Sequence, residues 1–335
     1  MYGAEYSRTD VTIEPKLAPP VVVVLVVDKP GECFDQVLDG LADQDYENTQ
    51  VLVINRGPAS TIDRVLATIP DATVKQVPNA TTYAEAANAV SDLVQGAAFY
   101  LFLRDDTVLA PNAVTLLVDE AMESNAGVLG PKVVNFNDPS RILSMGFMAD
   151  AFAVTTPVVE PGELDQEQHD RVREVFAVSG HAVLIRSDLF ATIGGFDQRI
   201  SDFEEYLDLC WRAQIAGGRI LVVPTATVRS LDRMSARDQP LSRRHSMRYR
   251  QHIVAKCYGW VHLVPILIMA MLLSLLEVAY SLLALRFQHA RDVFWAWGWN
   301  LLQIPYELKA RRRISRLRET RDRQIRRRQI AGSSR

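Results

Sequence analysis

Two adjacent carboxylates, Asp105 and Asp106, follow an apolar run over residues 99–103. Such a run predicts a buried strand, so the carboxylates stand at its carboxyl end. Paired carboxylate oxygens suit a hard divalent cation, Mg²⁺ or Mn²⁺, which often binds through one or two carboxylates together with substrate phosphates. The alternative is that the two side chains only cap a helix that the sequence predicts from Pro111. Asp105 and Asp106 are therefore a candidate metal site.

A second group of acidic residues lies in the segment SDFEEYLDLCWRAQIAG, residues 201–217. The segment begins with Ser201 and Glu204 at the spacing of a capping box, and Gly217 or Gly218 can end a helix. The sequence therefore predicts one acidic helix with well-marked ends.

Two carboxylates of this helix, Glu205 and Asp208, are candidate general bases. They are three residues apart, which places them on one helical face. A general base takes a proton from an attacking hydroxyl group, and we prefer Glu205 for this role. Asp208 has an alternative, because Arg212 follows at the four-residue spacing of a helical ion pair.

The segments before these groups alternate between strand and helix patterns. Strands are predicted over 21–27, 50–55, 72–77, 99–103 and 126–134, and helices over 33–46, 60–69, 82–94 and 111–123. Alternation of this kind predicts right-handed βαβ units and a mainly parallel sheet flanked by helices, an α/β fold. Ligands bind beyond the carboxyl ends of such strands. Asp28, Asn55 and Arg104 follow three of the strands and are expected at that edge.

Charge divides the chain into two parts. Residues 1–228 hold 15 basic and 33 acidic residues, a net charge of −18, whereas residues 229–335 hold 22 and 7, a net charge of +15. A basic tail predicts an anionic partner, either nucleic acid or a membrane surface. Because no nucleic-acid recognition motif is present, we expect anionic membrane lipid and no nucleic acid.

The stretch over residues 260–285 is the most apolar of the chain, and it would form a helix of about 37 Å, long enough to cross a membrane. Ser274, Glu277 and Ser281 share one face of it, which indicates packing against protein or an interfacial position. A second apolar, Trp-rich piece follows. Because basic clusters flank both pieces, a single crossing would violate the positive-inside rule. We expect a helical hairpin with both flanks cytoplasmic; a soluble helical subdomain is the alternative.

The three cysteines, Cys33, Cys210 and Cys257, fit neither a disulfide framework nor a zinc pattern, which indicates a reducing compartment. The first 20 residues lack the apolar core of a signal peptide and are expected to be a flexible arm.

Taken in order, the motifs RDDTVL, GGFD and DLCWRA resemble those of family-2 glycosyltransferases of the GT-A fold, and most of all membrane-associated actinobacterial members thought to build cell-envelope glycans. The resemblance covers about residues 20–335 and includes the Arg-rich end QIRRRQIAGSSR. It implies inverting transfer of a sugar from a nucleotide diphosphate to a glycan or lipid-linked acceptor at the cytoplasmic face of the cell membrane. Hydrophobic residues make up 48% of the chain, which is enough for a sizeable core.

The resemblance also assigns roles to individual residues. It implies that Asp105 and Asp106 bind the metal ion and that the donor contacts four residues: Asp28, Asn55, Arg104 and Asp105. It places Gly180 and Trp211 on the acceptor side, although Trp211 has the alternative of a core position, and Glu205 and Asp208 next to the position of the catalytic base, where either could take that role.

The sequence departs from the common family pattern at four positions. Asn55 and Arg104 stand where many members have Asp, Tyr206 occupies the usual position of the base, and Ser230 stands where a His is common. A phenol with a pKa near 10 is a poor base at neutral pH. Two alternatives follow: a catalytically silent domain that serves as a binding subunit, or a fragment of a larger enzyme.

The expected division of the chain is a flexible arm (1–20), a GT-A domain (21–230), a basic linker (231–257), an apolar helical hairpin (258–306) and an Arg-rich cytoplasmic helix or tail (307–335).

Overall fold

The computed structural model of the chain describes residues 18–77, 82–201, 204–231 and 240–332. Almost all of the expected N-terminal arm lies outside these ranges.

Strands and helices are mixed through the first two thirds of the described chain, with seven successive strands between residues 128 and 186, and helices alone form the rest. The strands are β1 (Val21–Val27), β2 (Thr49–Asn55), β3 (Thr73–Gln76), β4 (Phe99–Arg104), β5 (Thr107–Leu109), β6 (Val128–Asn135), β7 (Arg141–Ser144), β8 (Phe147–Ala149), β9 (Thr155–Pro157), β10 (Glu163–Leu164), β11 (Arg173–Glu174), β12 (Ala182–Arg186) and β13 (Ile220–Ser230). The helices are α1 (Phe34–Ala42), α2 (Ser60–Thr68), α3 (Tyr83–Asn88), α4 (Val90–Leu93), α5 (Ala113–Ser124), α6 (Ser187–Ile193), α7 (Glu204–Ile215), α8 (Pro240–Cys257), α9 (Trp260–Leu283), α10 (Phe287–Leu317) and α11 (Asp322–Gly332).

The main sheet has the strand order β10-β7-β6-β12-β4-β1-β2-β3, and β13 pairs with β5, β6 and β11. Strands β3, β2, β1 and β4 are parallel, as are β6 and β13, while β12 lies antiparallel between β4 and β6. The predicted α/β fold, a mainly parallel sheet flanked by helices, is confirmed. Because β1, β2 and β4 run in one direction, their carboxyl ends meet at one edge.

Strand β1 explains why the sheet is covered on both faces. All seven of its apolar residues are buried. Val22, Val24 and Val26 pack in one core with residues of α3, α6 and α7, whereas Val21 and Val23 pack in a second core with α1 and α5. A continuous β-branched run is therefore needed, because both faces of the strand exclude water.

The four C-terminal helices contact the sheet domain and one another. Helix α8 occupies residues 240–257 of the expected linker and packs against α7 and α10. Helices α9 and α10 form an antiparallel hairpin around Leu285, whose φ of 56° is left-handed, and Arg286 N donates to Ser281 O at 2.7 Å. Helix α10 continues past residue 306 to Leu317.

The polar face of α9 packs against protein, the first of the two expected arrangements. Ser274 Oγ accepts a hydrogen bond from Trp297 Nε1 at 3.1 Å, and a His289 ring nitrogen lies 2.7 Å from Glu277. Ser281 is buried. These polar contacts therefore hold α10 against α9.

The opposite side of the hairpin is apolar and exposed. Large side chains such as Val261, Leu276, Leu283 and Leu302 are between 67% and 85% exposed. Within the described residues, Trp260–Leu283 is the one helix long and apolar enough to cross a membrane, with a mean hydropathy of 2.3. An apolar surface of this extent marks an interaction site for membrane or protein.

Candidate functional site

Asp105 joins the ends of two neighbouring strands. Its Oδ2 atom accepts hydrogen bonds from the backbone N–H groups of Asp28 at 3.1 Å and Lys29 at 3.2 Å. The carboxylate thereby connects the end of β4 to the end of β1, and it is 6% exposed. The side chain of Asp28 is 56% exposed and lies 3.8 Å from Arg56. Asp28 and Asp105, both predicted donor-binding residues, are thus brought together.

Asp106 lies at the turn from β4 to β5 and is buried. The register of β5 with β13 places Ser230 opposite the next residue, Thr107. Ser230, which stands where a His is common in the family, is also buried and donates from Oγ to Leu231 O at 3.2 Å. The edge of the sheet therefore holds Asp105, Asp106 and Ser230 as neighbours.

The residues at this edge are of the types that bind a divalent cation. Within the described residues no group of three His, Cys, Asp or Glu side chains could hold a metal ion. Two carboxylates are enough when a diphosphate supplies further oxygens, which is how Mg²⁺ is usually held in phosphate sites. Asp105 and Asp106 are the residues that would bind the ion.

Asn55, another predicted donor-binding residue, holds the loop after β2. Its side-chain amide donates to Pro58 O at 3.0 Å and to Gln76 Oε1 at 2.7 Å, and its Oδ1 accepts from Gly57 N at 3.0 Å. The side chain is fully buried. Because both amide hydrogens of Asn55 are bonded within the protein, its placement favours a structural role over direct contact with a nucleotide-sugar donor.

Arg104 lies between the strand edge and helix α7. Its NH2 atom donates to Glu205 Oε1 at 2.8 Å, and its Nε atom donates to Gly180 O at 3.2 Å. The guanidinium carbon lies 4.4 Å from the ring centroid of Tyr83. Burial acts to lower the pKa of Arg104, but Glu205 and the neighbouring phenols leave that pKa raised. Arg104 is therefore a fixed positive charge that joins Glu205 to the strand edge, with Gly180 on the same side.

Tyr206 points into a cluster of aromatic rings rather than to the edge. It is 1% exposed, donates to Tyr83 Oη at 2.6 Å, and its ring centroid lies 5.2 Å from that of Phe196. Burial raises the pKa of Tyr206 well above its usual value, and burial raises the pKa of Tyr83 to about 12. Neither phenol can accept a proton at neutral pH.

Asp208 faces the C-terminal helices. Its Oδ2 atom accepts from Arg212 Nε at 2.8 Å and Arg212 NH2 at 2.6 Å, while its Oδ1 atom lies 2.7 Å from Lys256 Nζ of α8. The carboxylate is fully buried. The Arg212 pair is the alternative that the four-residue spacing offered. Contact with two cations argues against Asp208 as a proton acceptor.

The ion pair of Asp208 belongs to a larger buried network. Lys256 also pairs with Asp197 of the GGFD loop, and His252 of α8 lies 3.2 Å from Asp197 and 3.0 Å from Glu307 of α10. Tyr306 donates to Asp197 at 3.1 Å. We call Asp197, Asp208, Arg212, Lys256, His252 and Glu307 the helix network. It ties the sheet domain to two C-terminal helices.

Trp211 lies in the core. It is 1% exposed, and its ring centroid is 5.1 Å from that of Phe176 and 5.0 Å from that of Tyr258, both at nearly perpendicular angles. No face of the ring is open to a sugar. Its burial argues against the predicted acceptor-side role and agrees with the alternative of a core position.

Two parts of the site carried no local signal in the sequence. Tyr83 follows a loop without motif, and Lys256, 48 residues beyond Asp208, lies in a segment expected to be a linker. Pairing over such separations depends on the tertiary fold. His181 is buried with its Nδ1 atom 2.6 Å from Ser179 Oγ.

Comparison with family models and solved structures shows the family and the fold of the chain. A family model described as "Glycosyltransferase like family 2" matches residues 11–251. A search of proteins of curated function found no significant match.

Two solved structures share the fold at low sequence identity. GalNAc-T7, solved with UDP, GalNAc and Mn²⁺, has a TM-score of 0.54 and 13% identity over 71% of this chain. This chain spans about half of that protein, since the match covers 50% of it. Residues 1–349 of S. aureus TarS, also solved with UDP, have a TM-score of 0.52 and 16% identity, over 74% of this chain and 69% of the other.

Proposed function

The chain belongs to the glycosyltransferase-like family 2, and we propose that it transfers a sugar, with inversion, from a nucleotide diphosphate donor to a glycan or lipid-linked acceptor at a membrane. The observation that carries this proposal is the joining of three groups at one sheet edge: the Asp105 carboxylate, the Arg104 guanidinium and the Glu205 carboxylate. GalNAc-T7 and TarS, which share the fold, were solved with UDP, and this supports a nucleotide-sugar donor here.

The leaving group of this reaction is a nucleoside diphosphate, whose negative charge grows as the bond to the anomeric carbon breaks. A fixed guanidinium such as Arg104 stabilises that charge, because its planar donors match phosphate oxygens. A divalent cation, when bound by Asp105 and Asp106, would neutralise further charge on the diphosphate. Asp28, exposed beside Asp105, is positioned to contact the donor.

The acceptor hydroxyl must lose a proton as its oxygen attacks the anomeric carbon. We assign this proton to Glu205, because Asp208 contacts two cations and Tyr206 is a neutral buried phenol. The oxygen–carbon bond forms as the carbon–diphosphate bond breaks on the opposite face, and Glu205 holds the proton. Arg104 lies between the base and the leaving group and can interact with both.

The membrane part of the proposal concerns residues 258–306. The apolar, exposed outer face of the α9–α10 hairpin supports insertion into a bilayer, with α8 and the Arg-rich end on the cytoplasmic side. We retain residues 21–230 as the transferase domain, and assign α8 to its support, because the helix network links α8 to α7.

The test is calorimetric binding of a panel of nucleotide sugars to the detergent-solubilised chain, with Mn²⁺ and with EDTA. We expect one donor to bind, more tightly with Mn²⁺, and Asp105→Asn to weaken it by at least about tenfold, the loss of one charge-assisted contact. The matched control is Asp188→Asn, because Asp188 pairs with Arg186 at the opposite end of the sheet. Failure of every donor to bind to folded protein would overturn the proposal.

A second candidate is a catalytically silent domain that binds a glycan or a partner enzyme. The pairing of Glu205 with Arg104 and the phenol at position 206 favour it. Tyr206→Asp, which restores the usual acid, would bury a carboxylate among aromatic rings. The better discriminator is transfer by the natural chain itself, since donor binding without transfer to any lipid-linked acceptor would favour the silent domain.

A further inference from the structure

A basic cavity of about 540 Å³ lies at the base of the α9–α10 hairpin. It is lined by the α8–α9 junction, by the last three turns of α10 and by the residue that follows this helix. The lining residues include one lysine, four arginines and one tryptophan: Lys256, Arg311, Arg312, Arg316, Arg318 and Trp260. No acidic side chain is among the lining residues. We call it the basic cavity.

Two of the five cations are neutralised by the protein. Lys256 pairs with Asp197 and Asp208, and Arg318 pairs with Asp322 and donates to Cys257 O. These two cations form the structural wall of the basic cavity.

The other three cations are not neutralised. Within the described residues, Arg311, Arg312 and Arg316 form no ion pair with a carboxylate. Arg312 and Arg316 lie four residues apart, on one face of α10, and Arg311 directly precedes Arg312. The basic cavity therefore carries three guanidinium groups that contact no carboxylate among the described residues, although Glu307 and Asp322 act on Arg311 at longer range.

Arg311 is positioned for an anion. Its guanidinium carbon lies 4.1 Å from the ring centroid of Trp260, and it also donates to Ala255 O. Its Nε atom is buried without a hydrogen-bond partner among the described residues. Burial lowers the pKa of Arg311, and the neighbouring Arg318 acts in the same direction. An anion in the cavity would satisfy the buried N–H and offset the repulsion between the guanidinium groups.

The place of the basic cavity in the fold indicates where the anion comes from. Trp260 is the first residue of α9, the helix that is apolar enough to cross a membrane, and its side chain is 61% exposed. Tryptophan prefers the boundary between water and bilayer, at the depth of lipid headgroups. Guanidinium groups match the several oxygens of a phosphate better than a single carboxylate.

We propose that the basic cavity binds the phosphate group of an anionic membrane lipid. This inference rests on the membrane association proposed above, and it does not depend on sugar transfer. It gives the Arg-rich end of α10 a defined ligand site rather than a diffuse attraction to a charged surface.

The experiment titrates the full chain, in an uncharged detergent, with dioctanoyl phosphatidylglycerol, with dioctanoylglycerol, which lacks phosphate, and with inorganic phosphate. We compare Arg312→Gln/Arg316→Gln with the matched control Arg323→Gln/Arg327→Gln, which removes the same charge from exposed positions of α11 outside the cavity. Arg312 and Arg316 are also exposed and form no ion pair, so the folded state is expected to survive, and an unchanged Tm checks this.

We expect saturable binding of the phosphatidylglycerol only, weakened at least about tenfold in the cavity variant and less than about twofold in the control. Equal weakening by both pairs, or no saturable binding, would overturn the proposal. Binding of inorganic phosphate as tight as that of the lipid would overturn its lipid part. Flotation with neutral phosphatidylcholine vesicles separates the two proposals: a chain that floats but shows no preference for the anionic lipid counts against the basic cavity alone.

Discussion

Glu205 and Asp208 lie one turn apart on α7, and both are fully buried and ion-paired, yet they face different parts of the molecule. Within the described residues, Glu205 pairs with Arg104, at the edge where the strands end. Asp208 pairs with two cations, Arg212 of its own helix and Lys256 of α8. Burial and helical spacing do not separate a candidate base from a structural anion.

The partners of each carboxylate do separate them. Arg104 is adjacent to the Asp105–Asp106 pair, so a ligand that reaches the strand edge also reaches the partner of Glu205. Lys256 is shared with Asp197 inside the helix network, where no ligand is needed to complete the charges. We therefore propose that Glu205, on one turn of α7, takes part in the reaction, and that Asp208, on the next turn, stabilises the fold.

The largest effect on stability is expected for Asp208→Asn. The substitution leaves Arg212 and Lys256 buried without a full counter-charge, which costs about 3–5 kcal/mol and lowers Tm by about 5–15 °C. Thermal unfolding followed by circular dichroism measures it. A Tm within about 2 °C of the natural chain would show that Asp208 is not a structural anion.

Glu205→Gln tests the other half of the comparison. Loss of a general base lowers the transfer rate by about 10²–10⁴-fold, while Gln keeps the shape and a hydrogen bond to Arg104. Single-turnover transfer with the donor identified by calorimetry measures the rate. We expect donor affinity to change little and Tm to fall less than in Asp208→Asn. A larger fall in Tm for Glu205→Gln than for Asp208→Asn would contradict the roles given to the two carboxylates.

The pH dependence of stability tests the helix network through Asp197. Although burial acts to raise it, Lys256 and His252 hold the pKa of Asp197 well below its usual value. The folded chain therefore binds fewer protons than the unfolded chain, so this stabilisation is present above about pH 4 and is lost as the pH falls below it. We expect Tm to fall as the pH is lowered from about 5 to about 2, and less steeply in Asp197→Asn.

The control for that measurement is Asp188→Asn. The Arg186 guanidinium also lowers the pKa of Asp188, but this pair lies at the surface, where ion pairs contribute little. Its Tm is expected to follow the natural chain at each pH. If the Tm of all three proteins fell in parallel with pH, the Asp197 carboxylate would not account for the pH dependence of stability.

The smallest effect is expected for Tyr206→Phe, at the Glu205 end of α7. It removes the hydrogen bond to Tyr83 at 2.6 Å and keeps the ring packing, a loss of about 1 kcal/mol. Because the phenol is not a base in our proposal, transfer should stay within about threefold of the natural rate. A loss of transfer rate as large as that of Glu205→Gln would indicate that Tyr206, and not Glu205, accepts the proton.

The sequence was sufficient to predict the central sheet because the strands are apolar on both faces. The run at 21–27 and the run at 99–103 appear as β1 and β4, and their parallel pairing brings Asp28 and Asp105 together as the strand-end rule requires. The Asp208–Arg212 pair follows from local spacing on a helix.

The helix network could not be predicted in the same way. Asp197 and Lys256 are 59 residues apart, and α8 is arginine-rich with little apolar periodicity, so it has the composition of a linker. Only packing against α7 and α10 shows which of its polar residues, His252 and Lys256 among them, are buried. The same holds for Tyr83, whose partners Arg104 and Tyr206 come from other elements.

The order of the network's members along the chain constrains how the protein is made. Asp197 and Asp208 are synthesised first, Lys256 next, then the whole of α9, and Glu307 last. The sheet domain is therefore synthesised before Lys256, the cation that Asp197 and Asp208 share, and Glu307 follows only after the apolar helix has been synthesised. Completion of the helix network therefore requires synthesis of the whole of α9 and of α10 as far as Glu307, although the other five members of the network precede α9.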